Sequence, residues 1–236
     1  MSKCSALELL RQFSPTISVG ILSADLLSLK SELSILEQSD VKLVHVDVMD
    51  GCFTPNMTVG PPFIKALKTQ LLKDVHLMVE NPLEKVDSYV EAGADVITVH
   101  VESTRYVHRV LQKLGEMTNT NDPERELVRG VALNPGTPLS VLEPLLEEVE
   151  MIMLLAINPG WKGQSFSAST FSRMEKTREL IAQSGRDILL CVDGGITRDN
   201  IGQMVEVDIV VTGSAVFDGK APLENIQFMT ESLRHP

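Results

Sequence analysis

Short runs rich in Val, Ile and Leu recur along the chain, each followed by a stretch in which apolar side chains return every three or four positions. The runs have the length and β-branched content of buried strands, and the stretches have the spacing of amphipathic helices. Eight strands are predicted, at 17–22, 42–49, 75–79, 95–101, 127–133, 151–157, 188–192 and 209–212. Helices are predicted at 25–37, 82–92, 106–117, 139–147, 168–184 and 223–233, several opening on Pro or a small polar residue suited to a first turn. Residues 1–16 read as a short helical cap, and 118–126 (TNTNDPERE) as a solvated polar loop.

Strands that alternate with helices imply right-handed βαβ units and parallel pairing. Eight such units in a chain of 236 residues fit a TIM (β/α)8 barrel, a single domain over 17–236 behind the cap. A doubly wound open sheet is the alternative. Charged and imidazole side chains favour the barrel, because they sit at the C-terminal ends of several predicted strands, where barrel active sites are built.

Composition narrows the partners. Thirty-two acidic against 21 basic side chains leave a formal charge of −11, and a phosphate-backbone binder needs clustered Lys and Arg instead. Nucleic acid is not an expected partner. Three cysteines (Cys4, Cys52, Cys191) show no CxxC spacing, which argues against a disulfide framework or a cysteine zinc site. No run reaches the ~18 apolar residues of a membrane span, and no apolar stretch near the start precedes a small-residue cleavage site. A cytoplasmic enzyme-like domain without membrane contact is expected.

Strand parity locates the chemistry. In the second predicted strand Val44, Val46 and Val48 share one face, and His45, Asp47 and Met49 share the other. His76 and Met78 repeat the arrangement in the third, and Asp193 closes the seventh in the run CVDGG. If the valines face the helices, two imidazoles and two carboxylates point into the barrel mouth, where they need partners. A divalent ion such as Zn²⁺, Fe²⁺, Co²⁺ or Mn²⁺ suits that set. A hydrogen-bonded barrel core without metal suits it too, and spacing alone does not choose. His100, His108 and His235 read as structural or solvated.

Glycine-bearing turns follow the last three strands: NPGWKGQ at 158–164, DGG at 193–195 and TGS at 212–214. Glycine lets backbone N–H groups approach an anion, and barrels often hold phosphate at this end. Such turns explain how an acidic chain can bind an acidic substrate.

These residues fall within longer blocks: VHVDVMDGCFTPNMTVGP (44–61), DVHLMVENP (74–82), ALNPGTPL (132–139), INPGWKGQSF (157–166), CVDGGIT (191–197) and VTGSAVF (211–217). In this order they resemble the ribulose-phosphate 3-epimerase family. The resemblance implies a TIM barrel with one divalent metal, zinc or iron before manganese or cobalt, that interconverts D-ribulose 5-phosphate and D-xylulose 5-phosphate. It implies His45, Asp47, His76 and Asp193 as ligands, and Asp47 and Asp193 as the acid/base pair. Met49 and Met78 would line the reacting carbons. Gly160, Gly163, Gly195, Gly213 and Ser214 would receive the sugar phosphate, chiefly its phosphate, with His76, Trp161, Lys162 and Gly194 completing the substrate-binding set. A homo-oligomer is compatible with such a barrel, although no patch in the sequence dictates one.

Four positions depart from the family's pattern. Gly20 stands where a substrate-contacting Ser is usual, Leu155 for a third methionine, Lys162 for a glycine of the phosphate loop, and Cys191 for a common Glu. Cys191 shares parity with Asp193 and reads as a small buried hydrophobe rather than a thiolate ligand. The departures bear on the sugar. They keep open a 3-epimerase of another ketose phosphate, such as D-allulose 6-phosphate, and a non-catalytic sugar-phosphate binder. A binder has no need of the proton-transfer pair, and a metal-independent barrel enzyme has no need of the His/Asp set.

Overall fold

A computed structural model describes residues 5–121 and 126–235. Cys4 and residues 122–125 of the expected polar loop lie outside them. Eight parallel strands close into a barrel in chain order. They are β1 (Thr16–Gly20), β2 (Leu43–Met49), β3 (Leu72–Met78), β4 (Val96–His100), β5 (Val128–Leu133), β6 (Met151–Leu155), β7 (Leu189–Asp193) and β8 (Ile209–Thr212). The TIM barrel read from the alternation of strands and helices is the fold, and the open sheet is excluded by the pairing of β1 with β8.

Two apolar layers follow from strand parity. The outward set, with Val44, Val46, Val48, Val75 and Leu77, packs with buried side chains of the helices in one continuous core. The inward set, with Leu43, Leu72, Val96, Val128, Met151, Leu189 and Ile209, fills the lower half of the barrel. Helix α1 (Ala6–Phe13) begins with a capping box between Ser5 and Glu8, and its Ala6 and Leu10 join that inner cluster as a plug. Apolar filling at the N-terminal end leaves the C-terminal end for polar side chains.

The helices show where local chemistry overrides periodicity. Helix α2 (Leu29–Glu37) starts four residues late, because Asp25 accepts from Leu27 N–H and turns 26–28 into a 3₁₀ segment. Helix α3 (Pro61–Ala66) is absent from the sequence-based expectation; it has six residues and a single buried side chain, Ile64, so it carries almost no periodic signal. The expected helix at 82–92 divides into a 3₁₀ turn at Pro82–Glu84 and α4 (Val86–Glu91). Helix α5 (Val107–Gly115) lies within its predicted range. The expected helix at 139–147 is instead a 3₁₀ helix, Leu139–Leu145, with Pro144 inside it. Proline lacks the N–H and clashes with the carbonyl four residues back, so an α-helix cannot form there. Helices α6 (Ser169–Ser184) and α7 (Pro222–Arg234) complete the outer ring. Among the described residues no helix is long and apolar enough to cross a membrane.

Strand β3 begins three residues before its predicted start, and the difference matters. Lys73 has the polarity of a loop residue but is buried, its Nζ donating to the Ile64 carbonyl at 3.0 Å. The earlier start brings Asp74 into the barrel beside His45, its register partner on β2.

Packing inside the barrel gives a direct test. A Cβ on Gly130 of β5 would lie 2.3 Å from Thr98 Oγ1 and 3.1 Å from Met151 Cε. Gly130→Ala is expected to lose about 1–3 kcal/mol by overpacking. Gly136→Ala, with nothing within 4 Å of the added carbon, is expected to stay within about 0.5 kcal/mol of wild type. Urea denaturation of both variants checks the contrast.

Candidate active site

Register assembles the polar end of the barrel. His45 lies opposite Asp74, and Asp47 opposite His76, in the β2–β3 ladder. The side chains of these pairs point inward because the residues that alternate with them along each strand are the valines and leucines of the outer core. His45, His76, His100 and Asp74 are buried, whereas the Asp47 and Asp193 side chains remain 32% and 14% exposed at the mouth. That exposure leaves the two carboxylates accessible from the opening.

Hydrogen bonds fix the first imidazole. His45 Nδ1 donates to Asp74 Oδ2 at 2.7 Å, and Ser18 Oγ donates to the same oxygen at 2.8 Å. An ionised carboxylate only accepts, so the His45 proton sits on Nδ1. Its Nε2 then faces Asp47 Oδ1 at 3.2 Å. His76 Nδ1 faces the same Asp47 oxygen at 3.1 Å and Asp193 Oδ2 at 3.5 Å.

Electrostatics follow from this crowding. Burial alone would push His45 down, but Asp74 and Asp47 override it and hold the imidazole well above its ordinary value. Burial likewise opposes protonation of His76, and Asp193 and Asp47 still raise it. Desolvation favours neutral Asp47, yet His45 and His76 hold its carboxyl far below the usual range. Burial pushes His100 down to about 4 against the pull of Glu102. Positive charge is therefore favoured between the two carboxylates and the two facing ring nitrogens.

Protons on both imidazoles would supply that charge, and so would one divalent cation. One ligand atom from each of His45, Asp47, His76 and Asp193 lies within 4.8 Å of all the others. Ligands held tetrahedrally at about 2.0–2.1 Å from an ion are roughly 3.3–3.4 Å apart. Three of the six separations, 3.1, 3.2 and 3.5 Å, bracket that edge, and all six lie within 4.8 Å. The bond from His45 to Asp74 is also the carboxylate support that metal-bound imidazoles usually have. The donor set fits a metal.

The remaining predicted residues lie on β2, β3 and the turns that follow β6, β7 and β8. Met49 and Met78 are register partners one step nearer the mouth, and Met78 is buried. Gly194 and Gly195 follow β7 with φ of +98° and +68° and pack against Ile157 and Phe166. Gly213 abuts Gly20 and Ser23, and Ser214 follows it. Gly160 takes φ +81° and lies over Thr54 and Pro55. Trp161, Lys162 and Gly163 are exposed, and no described contact joins Trp161 or Lys162 to the His/Asp cluster. Leu155 and Cys191 belong to the apolar interior, with the Cys191 thiol free, buried and pushed up by desolvation.

Several members of the site escape sequence reasoning. Asp74 shares parity with His76 and Met78, which is a readable signal. His100 reads as structural from the sequence, yet its Nε2 lies 2.8 Å from His76 Nε2 and its Nδ1 3.1 Å from Glu102 Oε2. Gln164 clamps its own loop: Oε1 accepts from Asn158 N–H and Nδ2, and Nε2 donates to the carbonyls of Asn158 and Trp161. Asn56 Nδ2 donates to the Gly160 carbonyl at 2.6 Å and ties that loop across the mouth. Such long-range contacts leave no local pattern.

Comparison with known proteins places this geometry among relatives. The sequence profile of the Ribulose-phosphate 3 epimerase family matches residues 16–217. The chloroplastic ribulose-5-phosphate-3-epimerase of Arabidopsis thaliana is 38% identical over 224 residues, 92% of this chain and 77% of that one. The ribulose-phosphate 3-epimerase of Escherichia coli (strain K12) is 38% identical over 207 residues, 86% of this chain and 88% of that one. Among solved structures, the 3-hexulose-6-phosphate synthase of Salmonella typhimurium superposes with a TM-score of 0.62 at 16% identity, covering 93% of this chain and 98% of that one. At that identity the likeness is one of fold.

The turn after β8 supplies a test of geometry. A Cβ on Gly213 would lie 2.5 Å from Ser23 Oγ and 3.0 Å from the Gly20 carbonyl. The carbonyl is backbone and cannot swing aside. Gly213→Val is expected to lose about 1–3 kcal/mol in thermal or urea unfolding, with Gly213→Ala losing less.

Proposed function

Because the chain belongs to the ribulose-phosphate 3-epimerase family, we propose that this site inverts carbon 3 of a ketose phosphate, interconverting D-ribulose 5-phosphate and D-xylulose 5-phosphate. The observation that carries the reading is the convergence of His45, Asp47, His76 and Asp193 at the C-terminal end of the barrel. Inversion beside a carbonyl needs a base on one face, an acid on the other, and stabilisation of the charge between them. Two carboxylates from strands that are not neighbours answer the first two needs.

His45, Asp47, His76 and Asp193 would hold one divalent ion, zinc or iron by the chemistry of imidazole nitrogen with carboxylate oxygen. Such an ion would supply a positive charge that favours build-up of negative charge on the substrate oxygens. Asp47 turns Oδ1 to the histidines and Asp193 turns Oδ2 to His76; in this reading the second oxygen of each carries the proton. One aspartate removes the C3 proton to leave the enediolate, the other then delivers a proton to the opposite face, and the roles exchange in the reverse reaction. The two titrations belong to the pair. Met49 and Met78 wall the reacting carbons from water. The turns at Gly160–Gly163, Gly194–Gly195 and Gly213–Ser214 bind the phosphate through backbone N–H groups, beside Trp161, while exposed Lys162 adds a screened charge.

Gly20 favours a second reading. It stands at the inward end of β1, and an added Cβ would meet nothing nearer than Gly213 Cα at 3.5 Å. Space for a side chain is present and unused, which suits a bulkier ketose phosphate such as D-allulose 6-phosphate.

Asp47→Asn and Asp193→Asn are each expected to slow epimerisation by about 10²–10⁴-fold, with the barrel still folded by circular dichroism. Exchange of the C3 hydrogen with solvent deuterium reads the step directly. Chelation should abolish activity and a divalent ion restore it. Wild-type turnover by either variant at full metal content removes that aspartate from the mechanism.

Gly20→Ser is expected to fold normally and to lower KM for D-ribulose 5-phosphate by supplying a hydroxyl at the barrel mouth. A panel of pentulose and hexulose phosphates, run on wild type and variant, checks it. A wild-type preference for a hexulose phosphate selects the second reading.

A further inference from the structure

The ALNPGTPL block has no part in the reaction as described, and the turn it forms lies beside Glu102. Glu102 Oε1 accepts from the Asn134 backbone N–H at 2.8 Å and from the Thr137 hydroxyl. Arg173 of α6 holds that turn from outside, donating to the carbonyls of Thr137 at 2.7 Å and Asn134 at 3.3 Å. The other carboxylate oxygen, Oε2, faces His100 Nδ1 at 3.1 Å. From His100 the contacts continue inward, Nε2 to Nε2 of His76 at 2.8 Å, and His76 Nδ1 then faces Asp47 and Asp193. Glu102, His100 and His76 thus form a line from the rim of the barrel to its centre.

Direction along this line is decided at its outer end. Two fixed donors on Oε1 hold Glu102 in place, and a carboxylate offers only lone pairs to its next neighbour. His100 must therefore carry its proton on Nδ1 and present a bare Nε2. A bare Nε2 only accepts, so His76 donates from its own Nε2 and leaves Nδ1 with a lone pair. That is the atom turned to Asp47 and Asp193. Reversing any one proton would reverse both rings.

We propose that Glu102, acting through His100, is a positioning residue that sets the tautomer of His76, so that the Nδ1 lone pair faces the Asp47–Asp193 side of the site. The role of the Asn134–Thr137 turn is to anchor this carboxylate. The proposal deepens the metal-dependent reading, since a lone pair on Nδ1 is what a ligand requires.

Glu102→Gln tests it, because the outcome is a reversal rather than a loss. The Asn134 N–H still demands an oxygen, so the amide oxygen stays there and the amide N–H faces His100 Nδ1. His100 then shifts its proton to Nε2, His76 accepts at Nε2, and His76 Nδ1 becomes protonated. Two-bond ¹H–¹⁵N spectra of protein labelled at histidine nitrogens read each proton position, and calorimetric zinc titration reads affinity. The expected result is Nδ1–H on His100 in wild type, Nε2–H in Glu102→Gln, and zinc affinity lower by about 10–100-fold at unchanged circular dichroism. Thr137→Val, which removes one donor and keeps the carboxylate, is expected to retain the wild-type tautomer. A wild-type His100 protonated on Nε2 overturns the proposal and needs no variant to be seen. So does a reversed tautomer with wild-type zinc affinity. In protein that takes up no zinc the metal reading fails, while the proton on His100 still decides this one.

Discussion

The interior of this closed barrel is screened from bulk solvent, and it buries three imidazoles and an aspartate with two more carboxylates just above. Removing one partner of such a buried pair costs about 3–5 kcal/mol, because the other is left uncompensated. Each group must therefore find its partner within the barrel wall. Parallel register meets that demand between β2 and β3, where His45 faces Asp74 and Asp47 faces His76 across one ladder. β4 then supplies His100 and β7 supplies Asp193. The polar cluster and the register explain one another: a slip of one residue in β3 would turn Asp74 and His76 into the helix layer and bring Val75 and Leu77 inside.

The same constraint shapes the rest of the molecule. Apolar side chains from α1 and the lower strands plug one end, so polar groups gather at the other. The loops at that end are bound less by packing than by specific hydrogen bonds: Gln164 within its own turn, Asn56 across to Gly160, and Arg173 around the Asn134–Thr137 turn. Such bonds hold exposed backbone in fixed shapes. Glycines occur where φ is positive, at 160, 163, 194 and 195, a conformation that other residues reach only with strain. The barrel wall thus carries loops whose backbone is held in place by specific side-chain hydrogen bonds.

How much of this is legible in the sequence depends on the range of the interaction. Period-two alternation makes the strands and their inward faces readable, which is why His45, Asp47, Met49, His76 and Met78 group together on parity alone. The closed barrel follows from counting units. The start of β3 is hidden because Lys73 and Asp74 look like loop residues, and their burial depends on Ile64 of the preceding helix and on Ser18 and His45 of other strands. His100 escapes for a related reason: a single imidazole on an apolar strand acquires meaning only through Glu102 and His76. The segment 139–147 is a different case, where apolar spacing argues for an α-helix and the missing N–H of Pro144 prevents one. Local rules find the faces, and partners across strands are out of their reach.

The departures from the family's pattern divide along the same line between wall and rim. Leu155 and Cys191 sit in the buried inner layer, packed with Met153 and Val211, and neither lies in the four-residue cluster. Leu155 adds no titratable group to this layer, and Cys191 places a buried thiol where the family commonly has a carboxyl. Gly20 and Lys162 lie at the mouth, one leaving space and the other placing an exposed cation on the 158–164 turn. Proton transfer next to a carbonyl is the same chemistry for any ketose phosphate, so it constrains the centre; the length and hydroxyl pattern of the sugar are sensed where the substrate emerges from that centre. A barrel with its central carboxylates and imidazoles intact but its rim altered is therefore free to change the sugar it selects while keeping the reaction it performs.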